Sequence, residues 1–343
     1  YKALKANTTG TNNTAIGQEA LTTNTTGSQN TALGNQALYY LTTGSSNVAI
    51  GYDALQDCTT GDANVALGAY VLDQNTTGYH NTSCGHNSLG ANTTGANSVA
   101  IGYDALKSTT TGNGNVAVGA YANDAGDVAG TVAIGYAALT SNLGNSNTAV
   151  GESSLYANTT GVSNTAVGSN AGQSVTTGSN NLLLGTNAGR STAPSGNVTT
   201  SSNIVCLGDN SISDAYIKVA FTTGSDKRDK TDIENFNFGL DWVNKMRPVT
   251  YRWDNRDWYE DGTPDGSKKA SKLELGLIAQ EELEIEKEFG YADNDENMLI
   301  ASINRNGSYG MKYERIVPVL VNAIKELSAE NNSLKARLDA AGL

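Results

Sequence analysis

A short phrase of polar, small and aliphatic residues recurs twelve times between residues 13 and 208. It combines Asn or another small polar residue, a small or β-branched pair, a large aliphatic residue and a closing Gly, as in NTAIG at 13–17. The closing glycines are Gly17, Gly34, Gly51, Gly68, Gly85, Gly102, Gly119, Gly135, Gly151, Gly168, Gly185 and Gly208. They stand at every seventeenth position in most steps, while two steps are one position shorter and the last is longer. This regular period predicts stacked coils, because a single coil cannot bury its apolar side alone.

The rest of each coil is equally regular. The aliphatic residues of the phrase alternate with small residues, which is typical of a strand whose aliphatic side chains face inward. An Ala-Leu pair and a Thr-Thr-Gly turn follow, and we expect the Gly of that turn to supply a positive φ and to let the coils approach closely. Asn at one repeated position predicts a stacked amide ladder. Twelve coils at a strand spacing of about 4.8 Å would form a rod on the order of 58 Å long.

Composition changes sharply near residue 222. Residues 1–221 hold 5 Lys or Arg and 11 Asp or Glu, whereas the last 122 residues hold 17 and 23, together with all three Trp. This shift predicts a Gly-, Asn- and Thr-rich shaft at 1–221, a charged α+β domain at 222–315 and a terminal helix at 316–343. The net charge of −12 argues against nucleic-acid binding. No apolar run approaches the roughly 20 residues of a membrane span, so we expect no membrane insertion.

The cysteines and histidines give no sign of a metal or cofactor site. Cys58, Cys84 and Cys206 lack CxxC spacing, and the last two are assigned to the aliphatic position of the repeat, so we expect buried small hydrophobes. His80 and His86 have no accompanying carboxylate pair or Cys motif. Because Tyr1 stands in the middle of a coil, we expect the chain to be part of a longer protein.

Tyrosines recur just after the closing Gly of several coils. They are Tyr52, Tyr70, Tyr103, Tyr121 and Tyr136. Exposed aromatic faces stack on sugars, which makes Tyr52, Tyr103 and Tyr136 candidate glycan contacts. Packing of the same rings between chains of an assembly is the simpler interpretation. Asp53 and Asp104 are expected to be solvated turn residues, and no carboxylate pair indicates a glycan-cleaving site.

The end of the chain carries a short heptad pattern. Apolar residues and one Asn alternate in steps of three and four, as a and d positions of a coiled coil do. The positions are Val317, Leu320, Ile324, Leu327, Asn331, Leu334 and Leu338. A polar residue such as Asn331 at an a position fixes register and strand number. The pattern favours self-association, and one amphipathic helix packed on its own domain is the alternative.

The segment GSDKRDKTDI at 224–233 contains a Ser and a Lys five residues apart, Ser225 and Lys230. A Ser hydroxyl is a weak nucleophile until a base removes its proton. Lys can be that base when burial or a nearby cation lowers its pKa. Taken alone the spacing is weak, and a solvated turn is the default interpretation.

Four segments of the last third of the chain are similar to one known family. They are SDKRDKTDI at 225–233, GLDWVNKMRPVTYRW at 239–253, ELGLIAQEELEI at 274–285 and YGMKYERIVPVLVNAIKEL at 309–327. In order and spacing they resemble the C-terminal intramolecular chaperone of phage tail spikes and tail fibres, the endosialidase type, which is also a self-cleaving serine peptidase. One departure is Asp229, where the family usually has an aliphatic residue. The NTAIG phrases in turn resemble the head repeats of trimeric bacterial adhesins, which form β-rolls.

These resemblances imply a fold and a mechanism. The fold would be a mainly β repeat rod, a trimeric β-solenoid or β-roll with about 17 residues per coil, followed by a small α+β chaperone domain that ends in a coiled-coil helix. The domain would hold three fibre chains in register and then cleave its own chain once, between Gly224 and Ser225. Ser225 would be the nucleophile and Lys230 its base, with Asp226 and Arg228 as supporting residues.

The resemblances also imply a setting. The chain would be part of a virion tail fibre, synthesised in the host cytoplasm. Its partners would be two further copies of itself, a host cell-surface glycan or protein receptor, and other tail proteins contacted through an N-terminal part. The alternatives are a bacterial trimeric surface adhesin and a non-cleaving trimerisation domain on a structural fibre.

Overall fold

The computed structural model describes residues 2–218, 223–304 and 307–342. The chain divides into two compact units, Tyr1–Ser213 and Asp214–Leu343. The predicted boundary between residues 221 and 222 lies outside the described residues.

The first unit is a parallel β-solenoid. Across its described residues, twelve three-residue strands form one sheet in sequence order, and each pairs in parallel with the strand of the next coil. The strands are β1 Thr14–Ile16, β2 Thr31–Leu33, β3 Val48–Ile50, β4 Val65–Leu67, β5 Thr82–Cys84, β6 Val99–Ile101, β7 Val116–Val118, β8 Val132–Ile134, β9 Thr148–Val150, β10 Thr165–Val167, β11 Leu182–Leu184 and β12 Val205–Leu207. Equivalent residues of the repeat face one another, as in Ala49 opposite Ala66. The predicted solenoid and the length of its coil are confirmed.

The central residue of each strand, usually Ala, points into the coil. Ala49 and Ala66 are fully buried, whereas Ile16, the third residue of β1, is 60% exposed. The core is completed by the Leu of the Ala-Leu pair, such as Leu55 and Leu106. The prediction that the large aliphatic residue of the phrase faces inward is therefore wrong. Such a short coil encloses little space. A small Ala opposite a large Leu fills this space as densely as the interiors of proteins are usually packed.

The first and third residues of β1 to β12 form the outer strand face. They are Thr, Val or Leu at the first position and Ile, Leu, Val or Cys at the third, so this face carries no charged residue along all twelve coils. Cys84 lies at a third position and is only half-buried, which corrects the expectation for that residue. Cys206 is buried as expected, but it occupies the central position rather than the aliphatic one. Cys58 is also buried, and burial raises the pKa of its thiol to about 11.

The predicted asparagine ladder is confirmed. The backbone N–H of Asn47 donates to Oδ1 of Asn30 at 3.0 Å, and Oδ1 of Asn47 accepts from the backbone N–H of Asn64 at 2.9 Å. Nδ2 of Asn47 also donates to the carbonyl of Gly61 in the next coil, at 2.8 Å. Buried backbone polar groups need such partners, so the ladder supplies hydrogen bonds to the backbone groups at the inside corner of the coils without water.

Glycines are required where successive coils touch backbone to backbone. The closing Gly102 has φ +137°, and a Cβ added there would lie 2.6 Å from the carbonyl carbon of Gly119. The Gly of the Thr-Thr-Gly turn is required for a different reason. Gly27 has no positive φ, but a Cβ on it would lie 2.2 Å from the carbonyl oxygen of Gly44. The expectation of a positive φ in that turn is wrong, whereas the expected close approach of the coils is confirmed and explains the residue.

We expect Gly102→Ala to lower the free energy of unfolding of the rod by about 3 kcal/mol or more, because it adds strain at positive φ to a clash with the next coil. Gly114→Ala is the matched control, since Gly114 also has positive φ (+67°) but has nothing within 4 Å of an added Cβ. It should lower the free energy by only about 1 to 2 kcal/mol. Urea unfolding followed by circular dichroism measures both. Equal losses would show that coil contact at Gly102 is unimportant.

The second unit is a small α+β domain that ends in a long helix. Its described helices are α1 Leu240–Lys245, α2 Ala279–Glu288 and α3 Ile316–Ala340. Two antiparallel strand pairs lie between them, β13 Val249–Tyr251 with β14 Glu274–Gly276, and β15 Ala301–Ile303 with β16 Tyr309–Met311. The fully buried Trp242 of α1 is at the centre of the core. Among the described helices, none combines the length and the apolar character that crossing a membrane requires.

Candidate functional site

Ser225 and Lys230 are brought together by one short turn. A 3-10 helix at Lys227–Asp229 follows Asp226, whose carboxylate accepts a hydrogen bond from the backbone N–H of Arg228 at 2.9 Å. The same carboxylate pairs with the Arg228 guanidinium, with Nη2 2.6 Å from Oδ2. The turn reverses the chain, and Nζ of Lys230 donates to Oγ of Ser225 at 2.6 Å. A nucleophile and a base have to be within this range for proton transfer.

Solvent reaches the whole segment in a single chain. Ser225 and Lys230 are both exposed, and no heavy atom lies within 4 Å of a Cβ built on Gly224. The Arg228 side chain, and then its backbone N–H, lower the pKa of the Asp226 carboxyl from its ordinary value. Arg228 and Asp226 thus neutralise each other and hold the turn, and the Gly224–Ser225 peptide is open to attack.

The heptad residues of α3 lie away from the core of their own unit. Ile324 is 68% exposed, and Asn331 is exposed as well. The other heptad residues are also exposed: Val317, Leu320, Leu327, Leu334 and Leu338. A different side of the helix, including Val319 and Ala323, is buried in the domain. Packing on its own domain therefore accounts for one side of α3 and leaves the heptad positions on its exposed side.

Two buried glutamates of α2 were missed by the sequence analysis. Glu282 accepts a hydrogen bond from Nε1 of Trp242 at 2.8 Å. The fully buried Glu286 accepts from three successive backbone N–H groups, those of Leu299, Ile300 and Ala301, at 2.6 to 2.9 Å. The available signal was an acidic residue at each of two positions, four apart, on the inward side of α2.

We expect Glu282→Gln to flatten the pH dependence of stability of the second unit. Burial raises the pKa of Glu282 above its ordinary value. For a raised carboxyl pKa, stability is highest below the unfolded-state pKa of about 4.3 and is lost as pH rises through the folded-state pKa. Gln keeps an acceptor for Trp242 and removes the charge, so the variant should gain stability relative to the parent at pH 8 but not at pH 4.

Urea unfolding at several pH values measures this change. Glu284→Gln on the same helix is the control, because Glu284 is 72% exposed at its side chain. An unchanged pH dependence in Glu282→Gln would contradict the assignment of the burial effect to Glu282.

Tyr52, Tyr103 and Tyr136 lie half-exposed in a row that also includes Tyr70, His86 and Tyr121, and these six residues form the aromatic ladder. The neighbouring aspartates are not solvated as expected. Asp53 and Asp104 are buried against neighbouring coils. Asp104, for example, accepts from Nδ2 of Asn87 in the preceding coil at 2.7 Å. No group of three or more His, Cys, Asp and Glu able to hold a metal ion occurs in the part of the chain that the structure describes.

Fold and site together define a repetitive β-solenoid joined to a small α+β domain that opens with a Ser–Lys pair. Residues 225–291 of that domain match the family described as the chaperone of endosialidase. The resemblance predicted from the four sequence segments is thereby confirmed for this region, and the match begins at Ser225 itself. No curated protein and no solved structure matches the chain significantly.

Proposed function

We propose that the chain is part of a phage tail fibre whose C-terminal domain assembles three chains, guides the winding of the rod and then releases itself. The observation that carries this proposal is the 2.6 Å contact between Lys230 Nζ and Ser225 Oγ, at the first residue of the family match. The rod would contact a host-surface receptor, other tail proteins would hold its far end, and the finished fibre would belong to the virion.

The proposed cleavage uses the two residues in turn. Neutral Lys230 takes the proton of Ser225, and Oγ attacks the carbonyl carbon of Gly224. The carbon–nitrogen bond of the peptide breaks, the freed amine of Ser225 receives the proton, and Gly224 is held as an ester on Oγ. Water then hydrolyses the ester, which leaves a carboxylate on Gly224 and a free Ser225. Gly224 suits this attack because it has no side chain to obstruct the approach.

The proposed base needs a second copy of the chain. A lysine acts as a base only when desolvation or a nearby cation favours its neutral form. Lys230 is exposed in the single chain, so the desolvation would come from packing against neighbouring chains. The exposed heptad residues of α3 and the uncharged outer strand face both offer apolar surface for that packing. Cleavage would then occur only in an assembled trimer.

A repetitive rod would need such a chaperone to align its chains. Because the coils are nearly identical, a chain displaced by one coil against its neighbours presents almost the same outer strand face to them, and the error is weakly penalised. Non-local strand pairing is also slow. A trimeric domain at the end of the chains would start all three from the same point and raise their effective concentration. Its removal would leave a fibre whose persistence is kinetic.

Exposure of Lys230 specifically favours a second candidate, a trimerisation domain that does not cleave. The two candidates share the trimer and differ in the peptide bond at Gly224–Ser225. The test is the intact mass of the purified protein during incubation, together with its native mass in solution. Fragments that divide at Ser225 and a native mass of three chains support the first candidate. An uncut trimer supports the second, and an uncut monomer contradicts both.

A further inference from the structure

The aromatic ladder crosses six successive coils without a gap. Neighbouring ring centroids are 5.3 to 6.0 Å apart, and His86 closes the space between Tyr70 and Tyr103. The His86 and Tyr103 rings are stacked at an interplanar angle of 12°, whereas the other neighbours meet edge to face. The tyrosines of the ladder are 37 to 55% exposed. Each of these coils thus contributes one ring to the ladder, at the repeat distance of the rod.

Two sequence positions supply these rings. Tyr52, His86, Tyr103 and Tyr136 directly follow the closing Gly, whereas Tyr70 and Tyr121 are one residue later and have positive φ. This shift coincides with the edge-to-face meetings of Tyr70 and Tyr121 with their neighbours. The row therefore combines rings in two settings rather than one repeated residue.

The ladder is confined to the middle of the rod. The residue after the closing Gly is polar in the flanking coils: Gln18, Asn35, Glu152, Ser169 and Thr186. The uncharged outer strand face, by contrast, continues through all twelve coils. A contact between chains that holds the whole rod together would be needed in every coil, as the outer strand face is. A row of rings in six coils instead indicates a local binding surface.

The charge of these coils restricts the ligand. Residues 51–140, which contain the ladder, hold seven Asp and one Lys, a net charge of −6. The rest of the shaft to residue 221 is balanced, with four Lys or Arg and four Asp or Glu. Clefts and surfaces of one charge sign repel ligands of the same sign. An anionic polymer is therefore disfavoured, and half-exposed rings with polar edges suit a partner with both apolar faces and hydroxyl groups.

We propose that the aromatic ladder binds a neutral polysaccharide laid along the rod, with sugar faces stacked on exposed rings. The inference rests on the proposed attachment of the fibre to a host surface and names the receptor chemistry. Tyr52, Tyr103 and Tyr136, which follow the closing Gly directly, are the principal contacts, and His86 extends the row between the first two. A repeating polymer fits because each coil adds one ring, 5.3 to 6.0 Å from the next.

The test compares the full-length protein with a Tyr52→Leu, Tyr103→Leu, Tyr136→Leu variant on an array of immobilised neutral and acidic oligosaccharides. The parent should bind neutral glycans, and the variant should bind them more weakly by about ten-fold per ring removed. Tyr156→Leu is the control, since Tyr156 is exposed on the same rod outside the ladder, and it should bind like the parent. Leu keeps an apolar side chain, so rod stability should change little.

Three results would overturn the proposal. They are no binding of the parent to any neutral glycan, preference for acidic glycans, and binding by the triple variant equal to that of the parent. Loss of the trimeric native mass in the triple variant would assign the rings to packing between chains instead. Cleavage at Ser225 is measured in the same samples, so failure of glycan binding with intact cleavage defeats only this inference. Failure of cleavage with intact glycan binding defeats only the proposed processing.

Discussion

We expect the Ser225→Ala variant to remain one full-length chain under conditions in which the proposed cleavage separates the parent protein into residues 1–224 and 225–343. Ala has no oxygen to attack the carbonyl of Gly224, so cleavage should slow by about a thousand-fold or more, as it does when a protease loses its nucleophile. Lys230→Met should have the same effect because the hydroxyl loses its 2.6 Å partner. Intact-mass spectrometry during incubation measures the two fragments directly.

Lys227→Met is the matched control for the lysine. It removes a positive charge from the same 3-10 turn, but Lys227 makes no side-chain hydrogen bond to Ser225 in the structure, so cleavage should proceed. Fragments of the same mass from Ser225→Ala would show that another group attacks the peptide. Loss of cleavage in Lys227→Met as well would assign the effect to the turn and not to the Ser–Lys pair.

Leu327→Asp in α3 will convert a trimer into monomers and abolish cleavage, although Ser225 and Lys230 are untouched. Leu327 is 55% exposed in the single chain, so the new carboxylate does not disturb the core of its own unit. At a d position of a coiled coil, however, three such charges would be buried together, and each unpaired buried charge is strongly destabilising. Native mass and intact mass, measured on the same sample, follow both consequences.

Ala329→Asp is the control for this second prediction. It introduces the same side chain two residues away, at an exposed position outside the heptad set, and both trimer and cleavage should persist. A Leu327→Asp monomer that still cleaves would contradict the coupling of cleavage to assembly. A Leu327→Asp trimer would place the main association surface elsewhere, with the outer strand face the next candidate.

The sequence predicts the rod well because its information is repeated. Twelve versions of one phrase define the coil length, and the recurring Asn predicts a hydrogen-bond ladder that the structure confirms. The direction of the strand faces was mispredicted because both faces are apolar, with Ala on one and Ile or Val on the other. Alternation alone cannot distinguish them. The face that points inward is determined by the volume available inside a coil. That volume depends on the Leu side chain that packs from the opposite side of the coil.

Some contacts of the second unit could also be predicted from the sequence and others could not. The Ser225–Lys230 contact could be anticipated because a five-residue spacing is closed by a local turn. The spacing of Glu282 and Glu286 on α2 offers a signal for the two residues themselves. Their contacts could not be anticipated, since their partners are Trp242, 40 residues earlier, and the backbone beyond Met298. The sequence analysis considers His86 only as a possible metal ligand. Its position directly after the closing Gly85 is the signal that would have placed it in the aromatic ladder.

The in-register stacking of equivalent residues has a consequence for how such rods change in length. Since Ala49 faces Ala66 and each closing Gly meets the next, a whole coil can be inserted or deleted while the remaining interfaces stay the same. Each event changes the reach of the rod by one strand spacing, about 4.8 Å, and leaves the segment at 224–233 untouched. Duplication of a coil such as residues 86–102 would also add one ring to the aromatic row. The reach of the rod and the extent of the aromatic ladder can therefore evolve by whole units, independently of the second unit of the chain.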